Sequence, residues 1–152
     1  MIVEGKIKGI KIKIIASYFD SSKARKGKEY KNNRKLQEEI EKEMEVTEET
    51  LLFIMGDHNG RTTLLEPEFK KSDSNGEMIE DWVGMKNKIL LNADDKCKGV
   101  YTFGKGTGKK SAIDQVLTNA EGYKHVHSMF IDEGGDLTET SDHNIVLTYL
   151  NF

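Results

Sequence analysis

The chain has 152 residues, 36% hydrophobic and 32% charged, with 23 Lys and Arg against 26 Asp and Glu for a net charge of −3. That length suits one domain with its own core, and aromatic and β-branched residues spread along the whole sequence exclude a disordered chain. A single cysteine, Cys97, excludes an intramolecular disulfide, and no apolar run reaches membrane-spanning length, so an intracellular protein, nuclear or cytoplasmic, with no membrane partner is expected.

Gly5 and Gly9 suggest a turn or bulge, and Glu4 in VEGKIKG reads as part of it. Ile10, Ile12 and Ile14 then alternate with Lys11 and Lys13 on to Tyr18, the period of a half-buried strand. Leu36, Ile40 and Met44 recur at four-residue spacing among Glu and Lys, which predicts an amphipathic helix over about residues 29–45 covering a sheet. After the loop TEET comes the strand LLFIM. Met78, Ile79, Trp82 and Met85 follow Ser74-Asn75 at helical spacing. Short strands are predicted at ILLN, VYTF, SAIDQVL, HVHSMFI and NIVLTYL, those of the last third as a meander. The basic residues from Lys6 to Lys35 precede a Glu-rich stretch; they are either solvated faces or a surface that meets a polyanion.

Two polar clusters stand at probable strand ends, GDHNGR at 56–61 and TSDHN at 140–144. If the first strand continues, Asp57 and Asn59 project to one side; Asp142 and His143 open what reads as a neighbouring strand, and Asp114 in SAIDQVL is placed to fix an imidazole tautomer. An acid to take a proton from water, an amide to orient it, a metal-binding acid and an imidazole for developing charge make a hydrolytic constellation. Taken singly, Asp57 and Asn59 can equally build an Asx-type turn, and Asp142-His143 can be a surface pair. GKGTGKKS at 104–111 departs from the phosphate-loop pattern at Phe103 and Lys110; it reads as a turn whose Lys105, Lys109, Lys110 and Ser111 touch a nucleic-acid backbone. His125 and His127 share a strand face in this reading but have no third metal ligand nearby.

GDHN, SAIDQVL and SDHN together, in this order, resemble the G-D-x-N, S-x-I-D and S-D-H motifs of the endonuclease/exonuclease/phosphatase superfamily. The stretch from Ser74 to Phe103 is most similar to endonuclease domains of non-LTR retrotransposons. The resemblance implies an α/β (α+β) fold of two packed sheets flanked by helices in four layers, DNase I-like, with residues 1–152 matching the C-terminal two-thirds of the family domain. The N-terminal part of that fold, with its asparagine strand and metal-binding glutamate, is then missing. It further implies hydrolysis of phosphodiester bonds in nucleic acid, DNA foremost, with Mg²⁺ or Mn²⁺ as cofactor. In that assignment Asp57 activates water, Asn59 supports it or the phosphate, Asp142 binds the metal, and His143 paired with Asp114 stabilises the transition state. Tyr18 lies near the scissile phosphate, although Asp20 replaces a family proline. A catalytically incomplete remnant and a phosphatase acting on a small molecule are the alternative readings.

Overall fold

The computed structural model describes residues 1–21, 26–104, 108–137 and 140–152. Strand β1 (Ile2–Ile7) and strand β2 (Ile10–Tyr18) form an antiparallel hairpin. Lys8 and Gly9 both take positive φ, 49° and 86°, as the two-residue turn that matches strand twist requires, so Glu4 belongs to a strand and not to a turn. Helix α1 (Lys28–Glu43) returns the chain to β3 (Leu51–Asp57), parallel to β2. Helix α2 (Ser74–Gly84) begins one residue behind its cap Asp73, whose side chain accepts the Gly76 N–H at 2.8 Å.

The rest of the chain comprises β4 (Ile89–Leu90), β5 (Cys97–Lys98), β6 (Asp114–Thr118), α3 (Ala120–His125), β7 (Val126–Ile131) and β8 (Val146–Leu150). A five-stranded sheet is ordered β1-β2-β3-β6-β4 and a three-stranded sheet β5-β7-β8. The predicted meander does not form, because β6 and β7, consecutive in sequence, enter different sheets. VYTF is not a strand either; Phe103 makes only single bridges, to Ser111 and to His143. His125 ends α3 and bonds through Nδ1 to the Asn151 carbonyl, so it shares no strand face with His127.

Two apolar cores flank the larger sheet, which explains why β3 is buried on both faces from Leu51 to Ile54. Ile15, Phe19, Leu52, Ile54 and Leu117 pack against Ile40, Met78, Ile79 and Trp82 of the helices. Ile12, Leu51, Phe53 and Val116 pack against Val126, Met129 and Ile131 of the smaller sheet. Among the described residues no helix is long and apolar enough to cross a membrane.

Candidate active site

Antiparallel register sets Asp57, the last residue of β3, directly opposite Asp114, the first of β6. Parallel register sets Tyr18 level with Asp57 on the other side, 60% exposed. The third member arrives from the other sheet. His143 bridges Phe103, its ring edge-on to the Phe103 ring at 4.9 Å, and its Nδ1 lies 2.9 and 3.1 Å from the Asp114 carboxylate oxygens. Ligand atoms of Asp57, Asp114 and His143 all fall within 4.8 Å of one another, close enough to hold a metal ion.

Residues 101–104 hold this alignment without being a strand. Thr102 Oγ1 accepts the N–H groups of Ile113 and Asp114 at 3.0 and 2.9 Å, while the Thr102 carbonyl accepts Asn144 N–H at 2.7 Å. Gly104 N–H donates to the Asp142 carbonyl, and the Asn144 amide to the Tyr101 carbonyl. One irregular segment therefore splices the start of β6 to the approach of β8.

Burial raises the Asp57 carboxyl above its usual range, the Asp114 charge adds to this, and the Asn59 N–H and His143 partly offset it. Burial pulls the His143 imidazolium down, yet the hydrogen bond and charge of Asp114, with Asp57 and Asp142, outweigh it and leave the group raised. Asp142 itself is exposed beside this cluster.

The strand does not continue through Asn59. That residue is left-handed, with φ of 47°, and its backbone N–H donates to Asp57 Oδ1 at 3.0 Å, which is the Asx-type alternative. Its side-chain amide donates to the Phe19 carbonyl at 2.9 Å, so Asn59 ties the loop after β3 to the end of β2. Gly56 sits at φ 152°, and a Cβ there would fall on the Ser17 carbonyl, so only glycine lets β3 approach β2 this closely just before Asp57.

Beneath the loop is a buried polar layer that carried no site assignment in the sequence. Gln115 donates its amide to the Gly60 and Ala112 carbonyls, so its Oε1 must accept from His58 Nδ1 at 3.0 Å. His58 Nε2 is then left to accept from Ser17 Oγ at 2.9 Å, and burial pushes the fully enclosed imidazole down to about 4. Asn75, 0% exposed, donates to the carbonyls of Asp20, His58 and Asn59 at 3.0, 3.0 and 3.3 Å and accepts from Asn33 at 3.0 Å. The only prior signal for it was an amide at a helix start.

A cleft of about 510 Å³ opens beside the cluster, lined by Asn59, Arg61, Phe103 and His143, with the 2%-exposed Ser111 in its wall. Arg61, stacked over the Phe69 ring at 5.1 Å, puts a cation at the cleft; it closes the GDHNGR stretch but had no assigned role. Lys109 and Lys110 are exposed, and Lys105 lies outside the described residues. Lys11 and Lys13 lie toward the start of β2, away from its Tyr18 end, and Lys13 is buried against Glu43 at 2.7 Å and Glu4 at 3.1 Å. The N-terminal lysines of the hairpin therefore do not flank the cleft.

Two packed sheets meeting in a paired-carboxylate and histidine cluster agree with the superfamily whose three motifs the sequence resembles. The sequence profile described as endonuclease-reverse transcriptase matches residues 12–147, and the chain belongs to that family. The fold is similar to the endonuclease domain of TRAS1, a telomere-specific non-LTR retrotransposon, at TM-score 0.72 and 22% identity over 99% of this chain and 60% of that one. It is similar to an AP endonuclease from Archaeoglobus fulgidus at 0.71 and 16%, covering 99% of this chain and 65% of that one. A 3′-5′ exonuclease from Neisseria meningitidis follows at 0.68 and 15%, with 99% and 65% coverage. The chain thus spans less than two thirds of the length of these structures. No curated protein sequence matches it significantly.

Proposed function

We propose that this chain carries the active site of a Mg²⁺-dependent nuclease that hydrolyses phosphodiester bonds in DNA, of the retrotransposon endonuclease type. The observation that carries this reading is His143, held through Nδ1 by Asp114 with the Asp57 carboxyl beside it. With Nδ1 engaged, Nε2 is the atom left to donate to a phosphate oxygen, and the hydrogen bond and charge of Asp114, which raise the imidazolium above its usual range, favour that charged donor. Asp57, its carboxyl raised above its usual range by burial and by the Asp114 charge, is the better base for the removal of a proton from the attacking water. Asn59 supports the water or the phosphate from the same loop, and Tyr18 flanks the scissile group from the end of β2. Arg61 and the Lys109-Lys110 turn meet the nucleic-acid backbone.

The donor set fits a hard divalent cation: it offers carboxylate oxygens, and Nδ1 of His143 is committed to Asp114. Asp142 would hold Mg²⁺, and the bound cation would neutralise charge on the phosphate and polarise its P–O bonds.

The test is conversion of supercoiled plasmid to nicked circle in millimolar Mg²⁺ by the purified chain. Slow nicking, lost in Asp57→Ala and His143→Ala and suppressed by added salt, is the expected outcome. A folded chain that leaves plasmid intact while releasing phosphate from a small monoester refutes the nuclease reading.

A further inference from the structure

Ser17, His58 and Gln115 form one hydrogen-bonded line with a fixed direction. The Gln115 amide donates to the Gly60 and Ala112 carbonyls, so its Oε1 can only accept, at 3.0 Å from His58 Nδ1. His58 Nε2 then accepts the Ser17 hydroxyl at 2.9 Å. The opposite tautomer would set two acceptors face to face at Gln115. Each member is the chain neighbour of a candidate site residue: Ser17 of Tyr18, His58 of Asp57, and Gln115 of Asp114. The line thus crosses β2, β3 and β6 one residue out of step with the site.

Successive strand residues point to opposite faces, and that offset puts the line under the site. Ile15 and Leu117 belong to the helix-side core, Ile12 and Val116 to the core beneath the smaller sheet. Ser17 and Gln115, each two residues from Ile15 or Leu117, therefore face the helices. The His58 ring lies on that side too, edge-on to Phe19 and Trp82 with centroids at 5.3 and 5.8 Å. Tyr18, Asp57 and Asp114 have the opposite parity. Their level is also where pairing gives out. Tyr18 with Asp57 and Asp57 with Asp114 are the last pairs of the two registers, followed only by Phe19 N–H to the Asp57 carbonyl and His58 N–H to the Ile113 carbonyl. One rung further in, Gly56 stands opposite both Ser17 and Gln115 and brings no side chain. The imidazole bridges the two strands across that gap.

We propose that Ser17, His58 and Gln115 are positioning residues: a side-chain clip across Gly56 that keeps the ends of β2, β3 and β6 in step and so sets the spacing of Tyr18, Asp57 and Asp114 from the far face of the sheet. None of the three touches the reacting atoms. They act through the backbone, because strand ends are the first parts of a sheet to open, and a small misplacement of reacting groups lowers the rate of the chemical step. The effect on the reaction rests on the proposed nuclease function; the clip itself does not.

The experiment combines NMR and kinetics on the full chain. Imidazole ¹⁵N shifts should place the His58 proton on Nδ1 at neutral pH; a proton on Nε2 overturns the proposal. Ser17→Ala cuts the line at β2 alone, so hydrogen exchange at the Phe19 amide should quicken roughly tenfold or more while the amide at position 58 keeps its rate. His58→Phe cuts it on both sides and should quicken both. Ser17→Thr keeps the hydroxyl, with its methyl in the groove of about 380 Å³ that Ser17 lines beside Ile15, Leu36 and Ile40, and should restore the wild-type rates. Ile79→Val, a loss in the same core that touches no member, should quicken neither amide selectively. No change in Ser17→Ala, or an equal change at mid-strand Ile54, overturns the clip. In plasmid nicking, Ser17→Ala should lower kcat roughly tenfold or more at unchanged KM, and Ser17→Thr should recover it. Full turnover in Ser17→Ala with a quickened Phe19 amide overturns the positioning role. A wild-type chain that does not nick removes the nuclease function, and the clip is then judged by tautomer and exchange alone.

Discussion

Asn75 is the residue whose removal most directly tests how the loop around Asp57 is held. Its amide group satisfies three backbone carbonyls from two loops, at Asp20, His58 and Asn59, and its oxygen takes one Asn33 proton, with no exposure to water. In Asn75→Ala the Asp20 carbonyl keeps its bond from Asn33 at 2.8 Å, but those of His58 and Asn59 lose this donor. At about 1–3 kcal/mol for a buried group left unpaired, the expected loss is roughly 3 kcal/mol. For a domain of this size that corresponds to a fall of about 10 °C in melting temperature. Asn75→Asp changes almost no volume yet turns the donor into a further acceptor facing the same carbonyls, so it should cost more than the alanine, beyond about 3 kcal/mol. Urea unfolding monitored by the fluorescence of buried Trp82 measures both. An Asp variant within about 1 kcal/mol of wild type, or a less harmful Asp than Ala, would refute the claim that donated hydrogen bonds and not packing hold the loop.

Gly56→Ala forces a methyl onto the Ser17 carbonyl and should destabilise by about 3 kcal/mol or more, whereas Gly84→Ala, which meets nothing within 4 Å, should be neutral or stabilising; equal denaturant midpoints would contradict the close approach of β2 and β3. His58 is held neutral by burial, so on acidification the unfolded chain takes up the proton first: the stability it confers is whole above pH 6.5 and falls by about 3 kcal/mol between pH 6.5 and about 4. Urea midpoints across that window should show a slope that flattens in His58→Phe, and an unchanged slope would place the acid sensitivity elsewhere. His143 behaves oppositely, because its pKa is raised: its contribution is present below pH 6.5 and is lost as pH rises through the elevated value. Asp114→Asn removes the hydrogen-bonded charge and should move the His143 imidazole NMR titration downward; an unmoved midpoint would mean that Asp114 does not set its charge state.

Period-two and period-3.6 patterns made β2, β3 and both long helices legible, because burial on one face or on both writes itself into the order of residues. Pairing of Asp57, Asp114 and His143 was legible only through three motifs taken together; each alone has an ordinary structural use. The hairpin was half visible: Gly9 signalled a turn, but the charged, fully exposed β1 has no apolar periodicity to announce a strand. Phe103 and Thr102 were read as a strand because their residue types favour one, whereas their groups are spent on single bridges and on the ends of β6 and β8. Asn75, Gln115 and His58 left little trace, since a buried polar side chain is defined by partners distant in sequence.

Asp57 and Asp114 face each other across one rung of a single sheet, while His143 reaches them from the chain that enters the other. The first spacing is fixed by backbone geometry and is insensitive to what fills the interior. The second is in series with the sandwich: its width is set by how Ile12, Phe53 and Val116 seat against Val126, Met129 and Ile131. A methylene gained or lost in that seam changes the gap that His143 has to span, without touching any residue of the cluster. Substitutions that look like plain filling of the interior are therefore tuning screws on the imidazole, and variation at those positions can shift the His143–Asp114 contact while every residue of the cluster stays the same.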